Sequence, residues 1–198
     1  MRATAAKSKI IGATKTLLKS NPNITVKEIA EASYVNVAAI NYYFGSKDNL
    51  INILSTEFVN ELKEGIIRII IQHTDDSDLK SLFDETFKFV KDMIYDNFGI
   101  LYHLLNNVGN DQGDVLLESF FSNSPFIDQL LNMISIKTGI EDKDRVSVIY
   151  IMIFASIIFP MRFKTKSMKY PEFAEFIKSD RFDELLLEEM DRLIKRRT

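Results

Sequence analysis

The chain has 198 residues, enough for one large domain or a small domain joined to a larger one, and 46% of them are hydrophobic, enough for a substantial core. It has no cysteine, which excludes disulfides, thiol redox sensing and zinc-finger ligation. The net charge of −3 argues, taken whole, against a nucleic-acid binder, but residues 1–50 carry a net +4 and the remainder a net −7.

Nearly every segment has helical period, and no run of alternating β-branched residues is bounded by turns, so strands are not expected. The first helix is predicted from about Thr4 to Ser20, with Ile10, Ala13, Leu17 and Leu18 as its apolar stripe. Asn21-Pro22-Asn23 ends it, because proline cannot continue a helix and disfavours helical geometry in the residue before it. The opening thirty residues are amphipathic and lack the apolar core of a secretory leader, so a cytoplasmic protein is expected.

Thr25 is placed as the N-cap of a short second helix, Val26 to about Ala32, and Glu28 three residues on completes a capping box. Asn36 caps a third helix reaching about Tyr43, Gly45 stops it, and Ser46 caps a fourth with Asp48 in its first turn. That fourth helix is predicted over Lys47 to Gln72, with Ile51, Leu54, Phe58, Leu62 and Ile66 at helical spacing. A polar run at 73–78 breaks it. Further helices are expected over Leu79–Asn97 and Ile100–Val108, followed by a loop at 109–113. Asp114–Phe121 and Pro125–Thr138 read as one kinked helix or as two. An apolar helix follows at about Asp142–Lys164, then a loop, and two last helices from Pro171 to Lys178 and Asp180 to Arg196.

The apolar run Val146–Phe163 approaches the length of a membrane span. It holds Arg162, Pro160 and two serines and stands alone in the chain, so it reads as a buried or interface helix, and no membrane partner is expected.

A short capped helix, a tight turn and a second short helix make a helix-turn-helix, the arrangement that lays its second helix in the major groove of DNA. Ala30 is the small residue where the two helices cross, and Val26, Ile29, Val35 and Ile40 lock the pair. The outward face of the third helix is then Val37, Ala38, Asn41 and Tyr42, with Ala39 on its flank. Alanine and valine offer methyl contact to thymine, and Asn41 suits the two-point edge of adenine. Tyr42, Tyr43 and Lys47 at the far end suit phosphate oxygens, as do the amides at the N-termini of the second and fourth helices. Phe44 reads as core.

This stretch resembles the DNA-binding domain of the TetR/AcrR family of bacterial transcriptional regulators. TVKEIAEAS is similar to that family's second helix, and VAAINYYFGSKDNL to its recognition helix and the start of its fourth helix. The aromatic-aromatic-Phe-x-Ser-Lys segment is the most specific part, and the match covers about residues 5 to 55. The resemblance implies that Thr25, Asn36, Tyr42, Tyr43 and Lys47 hold phosphates while Val37, Ala38, Ala39 and Asn41 face bases. Tyr34 stands in the turn where the family commonly has glycine. Either a left-handed tyrosine there costs about 1 kcal/mol or more, or the turn differs and Tyr34 adds a DNA contact.

The implied fold class is all-α: a three-helix helix-turn-helix domain over residues 1–46 and a larger helical ligand-binding and dimerisation domain over 47–198. The expected partners are a double-stranded DNA operator, a second copy of the chain and a small-molecule effector. The apolar helix and the last helix would build a four-helix dimer interface from Ile151, Ala155, Ile158, Phe159, Phe182, Leu186, Met190 and Leu193. Candidates for an effector cavity are Phe83, Phe87, Met93, Tyr102, His103, Phe120, Phe121, Tyr150 and Phe154, and the 15 phenylalanines with no tryptophan point to an apolar or aromatic effector. No cofactor is expected, and the two isolated histidines give no metal site. Gly-rich phosphate loops and Gly-x-Ser-x-Gly are missing from the sequence, so the reading is a regulator rather than an enzyme. Repressor is preferred, with an activator of the same fold or a helical interaction module without DNA binding as alternatives.

Overall fold

The computed structural model describes residues 2–73, 79–106, 115–164 and 171–195. Every regular element among them is an α-helix: α1 (Arg2–Ser20), α2 (Val26–Ser33), α3 (Val37–Phe44), α4 (Lys47–Gln72), α5 (Leu79–Asp96), α6 (Phe98–Asn106), α7 (Val115–Phe121), α8 (Pro125–Thr138), α9 (Lys143–Lys164), α10 (Pro171–Lys178) and α11 (Asp180–Lys195). The all-α expectation therefore holds. Of the polar run read at 73–78 only His73 is described, and the loops read at 109–113 and 165–170 lie outside the described residues. Asp114–Phe121 and Pro125–Thr138, left open between one helix and two, are two. Ser124 is extended, its Oγ accepts the Ile127 N–H, and Pro125 follows at the first helical position, where its missing donor does no harm.

Internal contacts divide the chain into two compact units, Met1–Leu62 with Asp92–Phe120, and Lys63–Lys91 with Phe121–Thr198. In the first unit, α1 packs on α2 and on α6. Of its predicted stripe, Ile10 and Leu18 are closed off from solvent while Ala13 and Leu17 are half-buried, and Thr14 joins the core by giving its hydroxyl to the Ile10 carbonyl. Ile29 and Ile40 meet in the same core, each burial contributing about 1.5–3 kcal/mol. The α4 stripe read from the sequence, Ile51, Leu54, Phe58, Leu62 and Ile66, is buried throughout. At the start of α6, Gly99 comes so close to α1 that a Cβ there would sit 2.3 Å from the Leu18 carbonyl oxygen.

In the second unit α9 packs against α8, α10 and α11. Phe87, Val90, Phe126, Tyr150, Ile157, Ile177 and Met190 are buried. The apolar all-round character of α9 leaves one set of its residues exposed, namely Val148, Ile151, Met152 and Phe159. No described helix is long and apolar enough to cross a membrane.

The second unit also holds an ion pair that periodicity does not announce. Lys91 on α5 donates to the buried Asp183 on α11, and the exposed Asp180 lies 3.7 Å from the same ammonium. Lys91→Met leaves the Asp183 carboxylate in the interior without its cation. Unfolding in urea should show a loss of about 2–3 kcal/mol, below the range for wholly buried pairs because Lys91 keeps 21% of its side chain exposed.

Candidate nucleic-acid interface

The local chemistry of residues 25–50 orients α3, and each cap read from the sequence is formed. Thr25 is extended, its Oγ1 accepts the Glu28 N–H at 3.2 Å, and Glu28 returns by accepting the Thr25 N–H at 2.6 Å and its hydroxyl at 2.7 Å. The Thr25 hydroxyl and backbone N–H hold the Glu28 carboxyl below its ordinary pKa, so it stays ionised beside the positive end of α2. With Thr25 engaged in this way, the free donors at the start of α2 are the Val26 and Lys27 amides. Asn36 caps α3, its Oδ1 taking the Ala39 N–H at 2.7 Å, and Ser46 caps α4 by accepting the Asn49 N–H at 3.0 Å.

The turn between α2 and α3 is pinned by two hydrogen bonds. The Val35 N–H reaches the Ala30 carbonyl and the Tyr34 N–H reaches that of Glu31, the paired 6→1 and 5→2 bonds of a Schellman ending. Such an ending requires a left-handed residue, and Tyr34 supplies it at φ 56°, ψ 40°. Of the two alternatives read from the sequence, the turn is the left-handed one. At the other end of α3, Gly45 (φ 77°) lets the chain leave the helix without steric penalty.

With Ile40 and Phe44 turned into the core, Ala38, Asn41 and Tyr42 are exposed on α3 and Val37, Ala39 and Tyr43 are half-buried. Tyr42 is 83% exposed and packs edge-on against Tyr43 with ring centroids 5.1 Å apart. Small residues therefore lead the exposed face, and hydroxyl-bearing rings close it. Lys47 is more tied down than a free surface lysine, since its ammonium donates to the Ile24 carbonyl at 3.2 Å. Sequence spacing missed that anchor, and it missed Asn49, whose side-chain amide closes the end of α3 by donating to the Phe44 carbonyl at 2.7 Å. Neither contact has a periodic signal, because a partner's backbone carbonyl leaves no trace in residue type.

The nine effector-cavity candidates fall in both units. Phe83 and Phe87 pack as a tilted pair with centroids 6.4 Å apart in the core of the second unit. Phe121, Tyr150 and Phe154 form a second ring cluster there, with Phe121 and Phe154 4.8 Å apart. Burial pushes the Tyr150 hydroxyl well above its ordinary pKa, so it stays protonated. In the first unit, Met93 is half-buried and Phe120 buried, while Tyr102 and His103 line a cleft of about 650 Å³ with Ile24, Thr25, Lys47 and Ile51, and none of the other seven candidates borders it.

His103 Nε2 lies 3.3 Å from Asn52 Oδ1. Burial holds this imidazole below its ordinary value of 6.5, against the upward pull of the Asp48 carboxylate and with a further downward push from Lys47. The unfolded chain then binds the proton more readily than the folded one. Stability from neutral His103 is complete above about pH 6.5 and is lost as pH falls through the lower folded value. Thermal unfolding between pH 7.5 and 5 should show a fall in Tm that is shallower in His103→Gln.

Of the eight dimer candidates, Ile151, Ala155 and Phe159 are exposed along α9, and Ile158 is half-buried. On α11, Phe182 and Leu186 are half-buried and Met190 is buried within its own chain. Phe182 packs edge-on against Phe176 at 5.6 Å, and the Leu193 side chain lies outside the described residues. No group of three or more His, Asp or Glu side chains that suits a metal ion occurs among the described residues.

A capped two-helix unit with a pinned turn, a buried crossing and an exposed second helix defines a helix-turn-helix protein. The family model described as "Bacterial regulatory proteins, tetR family" matches residues 13–53, the segment that holds these features. The likeness to the tetR family of bacterial regulatory proteins thus lies in this DNA-binding segment. Among solved structures, a Clostridium perfringens protein put forward as a fatty acid metabolism regulator is similar in fold, with a TM-score of 0.59 and 18% identity over 92% of this chain and 97% of its own. The TetR family repressor AlkX from Dietzia sp. strain DQ12-45-1b, implicated in biodegradation of n-alkanes, aligns with a TM-score of 0.45 and 14% identity over 95% of this chain and 92% of its own. No curated protein sequence matches the chain.

Proposed function

We propose that this chain is a cytoplasmic, ligand-responsive transcriptional repressor that binds a palindromic operator as a homodimer. The observation that carries the reading is the exposed face of α3. Ala38 and Asn41 lie open to solvent on a helix whose caps, crossing and turn are all internally satisfied. Residues 1–46 would read the DNA, with Val37, Ala38, Ala39 and Asn41 at base edges and Asn36, Tyr42, Tyr43 and Lys47 at phosphates. Thr25 would serve chiefly by fixing the start of α2, leaving the Val26 and Lys27 amides available to a phosphate.

Residues 47–198 would supply the dimer and the effector site. The exposed apolar residues of α9, Val148, Ile151, Met152 and Phe159, support a second copy as the partner. A two-fold dimer sets its recognition helices about 34 Å apart, one helical turn of DNA. The aromatic clusters support an apolar or aromatic effector. Its action requires only that it bind the operator-competent and operator-incompetent arrangements with affinities differing by a few kcal/mol, and α4, continuous from Lys47 to Gln72, is the element placed to carry that bias. Light scattering on the purified protein, alone and with a duplex operator, tests this reading. A mass of two chains, and of two or four chains per duplex, supports it; a monomer that ignores duplex DNA contradicts it.

A further inference from the structure

Tyr34 is the one described residue other than glycine with a positive φ. Left-handed geometry penalises any side chain with a Cβ, and glycine or asparagine would complete the same turn at lower cost. Such strain persists where something compensates for it. The two Schellman bonds hold the backbone in that geometry, but nothing the Tyr34 side chain does within the described residues offsets its cost over glycine. The Tyr34 side chain is 92% exposed, so it adds no burial, and its ring has no hydrogen-bond or ring partner among the described residues. Any partner for the ring therefore lies outside the described residues.

The position of Tyr34 indicates what lies there. The two Schellman bonds fix its backbone between α2 and α3. It stands three residues before Val37, the first residue of α3, and Tyr42 lies near the last. The helix from Val37 to Tyr42 is about 9 Å long, to which the turn from Tyr34 adds, a reach comparable with the major-groove width of about 12 Å. The residues between these two tyrosines carry the small face suited to base edges. A phenol at each end is a neutral donor suited to phosphate oxygens at the two groove walls.

Resting on the DNA-binding reading above, we propose that Tyr34 is a phosphate-contacting residue, gripping the DNA backbone at the end of the recognition helix opposite Tyr42. The strained turn thus exchanges stability of the free protein for affinity. Its contact is positional, so it strengthens binding to any duplex and leaves sequence choice to α3.

The test uses the full chain as wild type, Tyr34→Gly and Tyr34→Phe. Thermal unfolding is measured without DNA, and fluorescence anisotropy at fixed salt follows binding to the selected operator and to a scrambled duplex. Tyr34→Gly should raise Tm by about 2–4 °C and weaken binding to both duplexes by about tenfold. Tyr34→Phe should keep the wild-type Tm and lose affinity similarly, since only the hydroxyl is removed. Wild-type affinity in Tyr34→Gly overturns the proposal, and so does a loss confined to the operator, which would make Tyr34 a base reader. A wild-type protein that binds neither duplex overturns the DNA reading itself, and is distinguished from those outcomes by the wild-type titration alone.

Discussion

Ala38→Glu should abolish operator binding and leave the fold intact. Ala38 is an exposed position in the first turn of α3, beside the Asn36 cap. Glutamate is an acceptable helix residue, and near a helix N-terminus its charge is favourable by a few tenths of a kcal/mol. The free protein should therefore unfold within about 1 °C of wild type. In the groove the same change is severe. It fills the space that lets the helix approach base edges, removes a methyl contact, and points a carboxylate into the negative field of the duplex. The expected loss is at least about 100-fold in affinity for the operator, the sum of a lost base contact and like-charge repulsion. Anisotropy titration against thermal unfolding separates the two effects. An unaltered operator affinity would mean that α3 does not face the groove.

Gly99→Ala should destabilise the first unit more than any surface change. The added Cβ would lie 2.3 Å from the Leu18 carbonyl oxygen and 3.0 Å from the Leu18 carbonyl carbon and Cβ. The obstacle is mainly backbone, so no rotamer change relieves it. Relief requires α6 to withdraw from α1, opening the buried surface around Leu18, Ile100 and Leu101. A loss of about 3 kcal/mol or more is expected, at or beyond the upper end for overpacked cores, readable as a fall in the urea midpoint. Because α1 also packs on α2, operator affinity should fall with it. A stability within about 0.5 kcal/mol of wild type would show that the α1–α6 approach is looser than described.

The recognition segment was legible in the sequence because its signals are local. Thr25 with Glu28, Asn36, Gly45 and Ser46 each act on backbone groups within three or four residues, so type and spacing alone report the geometry. The long apolar stripe of α4 was legible for the same reason. Tyr34 was only half legible. The sequence shows a tyrosine in a turn, but its left-handed φ follows from hydrogen bonds to Ala30 and Glu31 that the residue type does not require.

Contacts that depend on distant partners left no pattern. Gly99 against Leu18, Lys47 on the Ile24 carbonyl, His103 beside Asn52 and Lys91 with Asp183 join residues between 23 and 92 positions apart. The effector candidates were the least legible part. Aromatic residues at helical spacing occur in a core and around a cavity alike, and here Phe83, Phe87 and Phe120 are buried while Tyr102 and His103 border a cleft.

The central claim is that α3 reads DNA sequence, and selection of bound duplexes from a random library by the purified protein at fixed salt tests it most directly. Enrichment of a palindrome with half-sites about one helical turn apart is the predicted result. Recovery of duplexes with no common sequence, held weakly and released by modest salt, would contradict it.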